Sequence, residues 1–116
     1  MTTLAEKQHL SRVAELGCAV CRRMGYSGTP AEIHHLRAGT GAGRRANNWS
    51  VIPLCPEHHR GNTGLHGLGT KGFPKHWGYG EMELLQDTVD EIEKTYGPLA
   101  PRLKNFFPQD IKFVVK

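Results

Sequence analysis

Residues 54–66 read Leu54-Cys55-Pro56-Glu57-His58-His59-Arg60-Gly61-Asn62-Thr63-Gly64-Leu65-His66, with one cysteine and three histidines in little more than a dozen positions. No other stretch constrains the fold as much. Cys55 and His58 form a C-x2-H knuckle, which is half of a tetrahedral zinc site and needs a second pair of ligands. The chain has one other pair at that spacing, Cys18 and Cys21, with 33 residues between Cys21 and Cys55. A zinc ion held by Cys18, Cys21, Cys55 and His58 would clamp the two ends of everything between the knuckles. His59 and His66 are then left over beside the knuckle, and a second doublet, His34-His35, lies inside the closed loop. The expectation is two metals, a zinc for folding and a second ion for chemistry.

The cysteine count supports that pairing. Three cysteines are an odd number, which argues against a disulfide framework, while the two knuckles use all three as thiolates. A chain of 116 residues is expected to form a single domain, 1–116, and a metal staple would add much to its modest core. No apolar run is long enough to span a bilayer and no signal-type segment opens the chain, so residence in the cytoplasm is the expectation.

The net charge is +4, and it is unevenly spread. Residues 1–79 carry ten Lys/Arg against four Asp/Glu, residues 80–97 one against six, and residues 98–116 four against one. The part that holds the His/Cys constellation is the basic part, as suits a face that meets a polyanion.

Several elements can be read along the chain. Thr3-Leu4-Ala5-Glu6 has the form of a capping box, and Leu10, Val13, Ala14 and Leu16 follow at helical spacing up to Gly17, so a helix is expected over about 4–16. Its charged residues Glu6, Lys7, Arg12 and Glu15 read as a solvated face. After a turn over 25–30, residues 31–36 read as a short strand and 49–54 as a second, with Pro53 at an edge or strand end. Together they would make an antiparallel hairpin around a glycine-rich loop with Arg37, Arg44 and Arg45, either a plain hairpin tip or a basic loop that closes on a nucleic-acid backbone. Gly61, Asn62 and Gly64 argue for a broken helix or loop that folds His66 back. Residues 67–80 read as irregular, with a helical turn near 73–77. Met82, Leu85, Val89, Ile92 and Tyr96 mark a helix over about 81–96, ended by Gly97-Pro98, whose acidic face should point away from DNA. The basic tail, 98–116, either packs as a strand or stays loose. The class is α+β, a small zinc-stapled ββα core over about 15–97 with a helix on each side.

The surplus histidines suggest hydrolysis of a phosphodiester. That chemistry needs a base to take a proton from water and a cation to stabilise the leaving oxyanion, and imidazole can serve as base or as ligand. Adjacent histidines on a strand normally point to opposite faces, so the doublet His34-His35 can serve two roles only if the strand end is bent. The bland alternative for each of them is a surface or capping residue.

The order C-x2-C, His-His at a strand end, Ile52-Pro53-Leu54-Cys55-x2-His58-His59 and then His66 resembles an HNH nuclease with the ββα-metal fold. More narrowly, Ile-Pro-Leu-Cys-Pro-Glu-His-His-Arg followed by a spaced His and an aromatic segment is similar to the Ref-type phage recombination-enhancement nucleases, over roughly residues 15–97. The resemblance implies His34, His59 and His66 as ligands of a catalytic Mg²⁺ or Mn²⁺, His35 as the general base, and Asn48 as its brace. Asn47 is the second candidate for the brace, and Ser50 is the residue at the spacing seen in many HNH proteins. It implies a metal-dependent DNA endonuclease of phage or prophage origin, at work in the bacterial cytoplasm and leaving a 5′-phosphate and a 3′-hydroxyl. Arg37, Arg44, Arg45, Arg60, Lys71 and Lys75 would contact phosphates. Ref-type relatives act on DNA that carries a RecA filament. They have a long basic N-terminal extension whereas this chain begins almost at the core, so dependence on a recombinase stays open. The competing reading is a zinc-stabilised module that binds DNA or a recombinase without catalysis.

Overall fold

The computed structural model describes residues 2–36, 47–99 and 101–114. It is a small α+β structure in which a two-stranded hairpin lies between two groups of apolar side chains. Helix α1 (Leu4–Glu15) begins at the capping box: Thr3 Oγ1 accepts the Glu6 N–H at 3.1 Å and Glu6 Oε1 accepts the Thr3 N–H at 2.9 Å. It ends at Leu16, followed by Gly17 at φ +80°. Glycine is required there twice over, because a Cβ would also meet the Gly28 and Thr29 backbone at 3.1–3.2 Å. That close approach sets up the Cys18 N–H to Thr29 carbonyl bond and delivers the chain into the first knuckle. A short helix α2 (Ala19–Arg23), which the sequence pattern does not announce, forms the knuckle itself.

Strands β1 (Glu32–His35) and β2 (Val51–Leu54) pair antiparallel, with His34 opposite Ile52 and His35 opposite Val51. The period of two then sorts the side chains. Ile33 and Val51 face α1 and pack with Val13 and Ile92, whereas Ile52 and Leu54 join the main core with Leu36, Phe73, Leu84, Leu85 and Val89. Helix α3 (Pro56–Arg60) follows β2 at once, and α4 (Leu65–Trp77) doubles back on it. A Cβ on Gly67 would collide with the Gly61 carbonyl oxygen, so glycine allows the fold-back there.

Residues 65–77 correct the expectation of irregular structure. The stretch is helical on both sides of Gly69, which is kinked at φ 78°. The intrinsic cost of its glycines and Pro74 is offset by burying Leu65 and Phe73, with Leu68 and Trp77 packed against them. Helix α5 (Glu81–Tyr96) matches the expected span and ends at Gly97, φ 97°. The tail packs on the core, as a 3₁₀ helix (Pro101–Phe106) and an extended end rather than a strand, and contributes Leu103, Phe107 and Ile111. Buried Glu93 holds it by accepting the Leu99 and Val114 N–H groups at 3.0 and 2.9 Å. No described helix is long and apolar enough to cross a membrane.

Candidate metal centres

Cys18 caps α2, Cys21 lies one turn into it, and Cys55 and His58 flank the start of α3. All four are buried, and their ligand atoms converge. His58 Nδ1 stands 3.5, 3.6 and 3.2 Å from the sulfurs of Cys18, Cys21 and Cys55, and the Cys21 and Cys55 sulfurs are 4.0 Å apart. A tetrahedral zinc with ordinary bond lengths would set edges of roughly 3.8 Å between sulfurs and 3.5 Å between sulfur and nitrogen. The observed edges are close to these, and the sulfur pair is far outside disulfide length. The Cys21 N–H points at Cys18 Sγ (3.5 Å), the kind of N–H···S bond that stabilises a thiolate ligand. Burial pushes His58 toward its neutral form, the form that ligates. This Cys₃His group can hold a metal such as zinc.

One residue further along α3 the chain turns to a different group. His34, His59 and His66 bring one ligand atom each to within 4.8 Å of one another. Their ring centroids are 5.2 Å (34–59), 5.9 Å (34–66) and 4.6 Å (59–66) apart. Unlike the cysteine group it is open, since His66 is exposed. A carboxylate holds one ring nitrogen of two of these histidines. Glu81 Oε2 is 2.6 Å from His34 Nε2, and Glu32 Oε1 is 2.8 Å from His59 Nδ1. A carboxylate that takes one ring nitrogen would leave the other for an ion, a carboxylate–histidine arrangement common around metals. Glu32 also grips the Arg60 guanidinium at 2.7–3.1 Å, and Arg60 and then His59 pull its pKa down to about 2. The donor set of three imidazoles suits a borderline transition ion better than Mg²⁺, which prefers oxygen.

His35 points the other way from His34, as alternation requires, and its Nε2 lies 2.9 Å from Asn48 Oδ1. Asn47 does something else, since its Oδ1 accepts the Trp49 and Ser50 N–H groups and shapes the turn. The Ser50 hydroxyl donates to the Phe106 carbonyl. Of the three residues considered as brace, Asn48 alone has a contact with His35 among the described bonds.

The expected phosphate contacts fare unevenly. Arg37, Arg44 and Arg45 lie outside the described residues. Lys71 and Lys75 are exposed on α4, whereas the Arg60 guanidinium is occupied by Glu32. Nor does the acidic face of α5 simply point away. Glu81 reaches the histidine group, while Asp87 and Glu91 pair with Arg23 and Arg22 of α2 at 2.6 and 2.8 Å. Sequence reasoning missed Glu32, Glu81 and the buried His9, whose Nε2 meets the Trp49 carbonyl at 3.1 Å. Glu32 had a signal, because it lies two residues before His34 on one strand and therefore shares its face. Glu81, 47 residues from its partner, had none.

A family model described as recombination enhancement, RecA-dependent nuclease, matches residues 2–92, most of the chain. No curated protein matches it.

Proposed function

The chain belongs to the recombination-enhancement, RecA-dependent nuclease family, and from that premise we propose that it is an HNH-type DNA endonuclease of the bacterial cytoplasm that cuts with His35 as general base. The observation that carries the proposal is the pairing of an open trio, His34, His59 and His66, with a second histidine on the opposite face of the same strand end, held at Nε2 by Asn48. Cys18, Cys21, Cys55 and His58 hold the structural zinc, whose closed, buried ligand set leaves no position for substrate.

In the reaction, His35 takes a proton from water and the resulting hydroxide attacks phosphorus. The bond from phosphorus to the 3′ oxygen breaks and that oxygen takes a proton from solvent, leaving a 5′-phosphate on one side and a 3′-hydroxyl on the other. A divalent ion held by His34, His59 and His66, Mn²⁺ in preference to Mg²⁺ on the donor chemistry, supplies charge stabilisation for the leaving oxygen when bound. Glu32 and Glu81 keep the His59 and His34 rings oriented. Lys71 and Lys75 give a sequence-independent footing on the phosphate backbone, joined by Arg37, Arg44 and Arg45. DNA bearing a RecA filament is the proposed substrate, from the family's description.

The test is nicking of supercoiled plasmid, and cutting of duplex paired to RecA-coated single strands, with Mn²⁺ or Mg²⁺. Wild type should cut and His35→Ala should not. Equal rates would remove His35 as the base. Binding without cutting under every condition would favour a zinc-stabilised DNA- or recombinase-binding module.

A further inference from the structure

A carboxylate linked to the proposed base through one side chain belongs to the first turn of α1, a helix whose charged residues read in sequence as solvated surface. Glu6 does not simply face water. One oxygen accepts the Thr3 N–H at 2.9 Å, and the other lies 3.2 Å from Asn48 Nδ2. Asn48 in turn offers Oδ1 to His35 Nε2 at 2.9 Å. The three side chains form one line from the helix cap to the strand end, across 42 residues between Glu6 and Asn48 and 13 between Asn48 and His35.

The chemistry of that line has a single consistent solution. The hydrogen bond from the Thr3 backbone N–H holds the Glu6 carboxyl below its usual range, so it is ionised at neutral pH. An ionised carboxylate only accepts hydrogen bonds. The Asn48 amide must therefore turn its NH₂ to Glu6, because the reverse orientation would set two acceptors against each other. Asn48 then has only its carbonyl oxygen for His35, and a carbonyl demands a donor. Nε2 of His35 must carry the hydrogen, and Nδ1 keeps the lone pair. The backbone cannot easily relax this geometry, since Asn47 Oδ1 accepts the Trp49 and Ser50 N–H groups at 2.8 and 2.9 Å and pins the turn around Asn48.

We propose that Glu6 is a positioning residue that acts through Asn48 to hold His35 as its Nε2-protonated tautomer, making Nδ1 the nitrogen that receives the proton from water. The inference rests on His35 being the base. It gives the N-terminal helix a direct part in the cleavage site, beyond packing on the hairpin through Val13. Neither metal group contains Glu6, so the effect is separable from ion binding.

The experiment compares Glu6→Gln, Thr3→Ala and wild type as full-length, zinc-loaded protein. The readout is the His35 tautomer by long-range ¹H–¹⁵N correlation of the histidine rings, together with kcat and KM for plasmid nicking. The introduced glutamine can keep its oxygen on Thr3 and turn its NH₂ toward Asn48, which then flips and presents NH₂ to His35. Glu6→Gln should therefore move His35 toward the Nδ1-protonated tautomer and lower kcat by roughly 10- to 100-fold, with KM and zinc content unchanged. Thr3→Ala removes the hydroxyl cap without touching Asn48 and should keep the wild-type tautomer and rate. A wild-type tautomer in Glu6→Gln overturns the proposal, and so does an equal tautomer change in Thr3→Ala, which would assign Glu6 a purely structural role. Full activity in His35→Ala would instead sink the general-base reading, while the tautomer comparison would still decide what Glu6 does to His35.

Discussion

His58 and His59 are neighbours in sequence and belong to different groups. His58 looks into a cluster of three buried sulfurs, with Trp77 edge-on to its ring at a centroid distance of 5.3 Å. His59 belongs to an open trio of imidazoles backed by the carboxyl groups of Glu32 and Glu81. The first group has sulfur donors, no solvent-facing member and four ligands, the features of a metal that holds a fold together. The second has nitrogen donors, an exposed member and fewer ligands than a full coordination sphere, the features of a site that leaves room for something else. Successive residues on a helix point about 100° apart, so the single short helix α3 can feed both groups. Position on a helix, not residue type, divides these two histidines.

The sharpest way to break this comparison is to damage each group in turn. Cys55→Ser, or zinc removal by a chelator, should abolish the cooperative thermal transition followed by circular dichroism, because the hairpin ends lose their clamp. His59→Ala should melt within roughly 5 °C of wild type and yet cut no plasmid. If the two variants melt alike, the division of labour between the groups is wrong. His35→Ala should slow nicking by about 10²- to 10⁴-fold with both metal contents unchanged by elemental analysis, which separates the base from the ligands. Glu32→Gln and Glu81→Gln should each weaken Mn²⁺ binding by roughly 10- to 100-fold in calorimetric titration and leave zinc in place. Equal loss of zinc would mean the carboxylates serve the whole fold.

A pH effect should appear away from both groups. Burial holds the pKa of His9 below its unfolded value of 6.5. The unfolded chain therefore binds the extra proton, and the stability that neutral His9 contributes above 6.5 is lost as pH falls through that value toward the folded pKa. His9→Gln should flatten that part of the stability profile measured by urea unfolding. The smallest effect is expected from Lys71→Ala and Lys75→Ala. Each should lower the salt dependence of DNA binding by about one phosphate contact's worth, with no change in melting.

Much of the fold was legible because its signals are local. The capping box at Thr3 and Glu6, the stop at Gly97 and the apolar stripe of α5 are read from residues a few positions apart, and each stands where the pattern put it. The pairing of C-x2-C with C-x2-H was legible for another reason: with three cysteines and two spacings, there was only one way to build a four-ligand group. Alternation along a strand also foretold that His34 and His35 would part company. Helix α4 was not legible. Its glycines and proline speak against a helix, and only the burial of Leu65 and Phe73 against the rest of the core overrides them. The packing of the tail was left undecided for the same reason, since Leu103, Phe107 and Ile111 find their partners only once α5 and the hairpin are in place.

The sequence by itself determined which residue types could ligate, that a strand end would present the His34-His35 doublet, and that one knuckle would be completed by the other. Those conclusions follow from residue chemistry, spacing and local periodicity, all of which are written in the order of the chain. Tertiary structure alone decided that Glu81 and Glu6 stand behind the histidines. Glu81 meets His34 across 47 residues and Glu6 meets Asn48 across 42, and neither pairing leaves a trace in spacing. The hydrogen bonds that orient a side chain act over about 3 Å, and which groups come that close is set by how the hairpin, α1 and α5 pack together. The same residue types can therefore be named from sequence, while their tautomers and partners can be read only from the packed molecule.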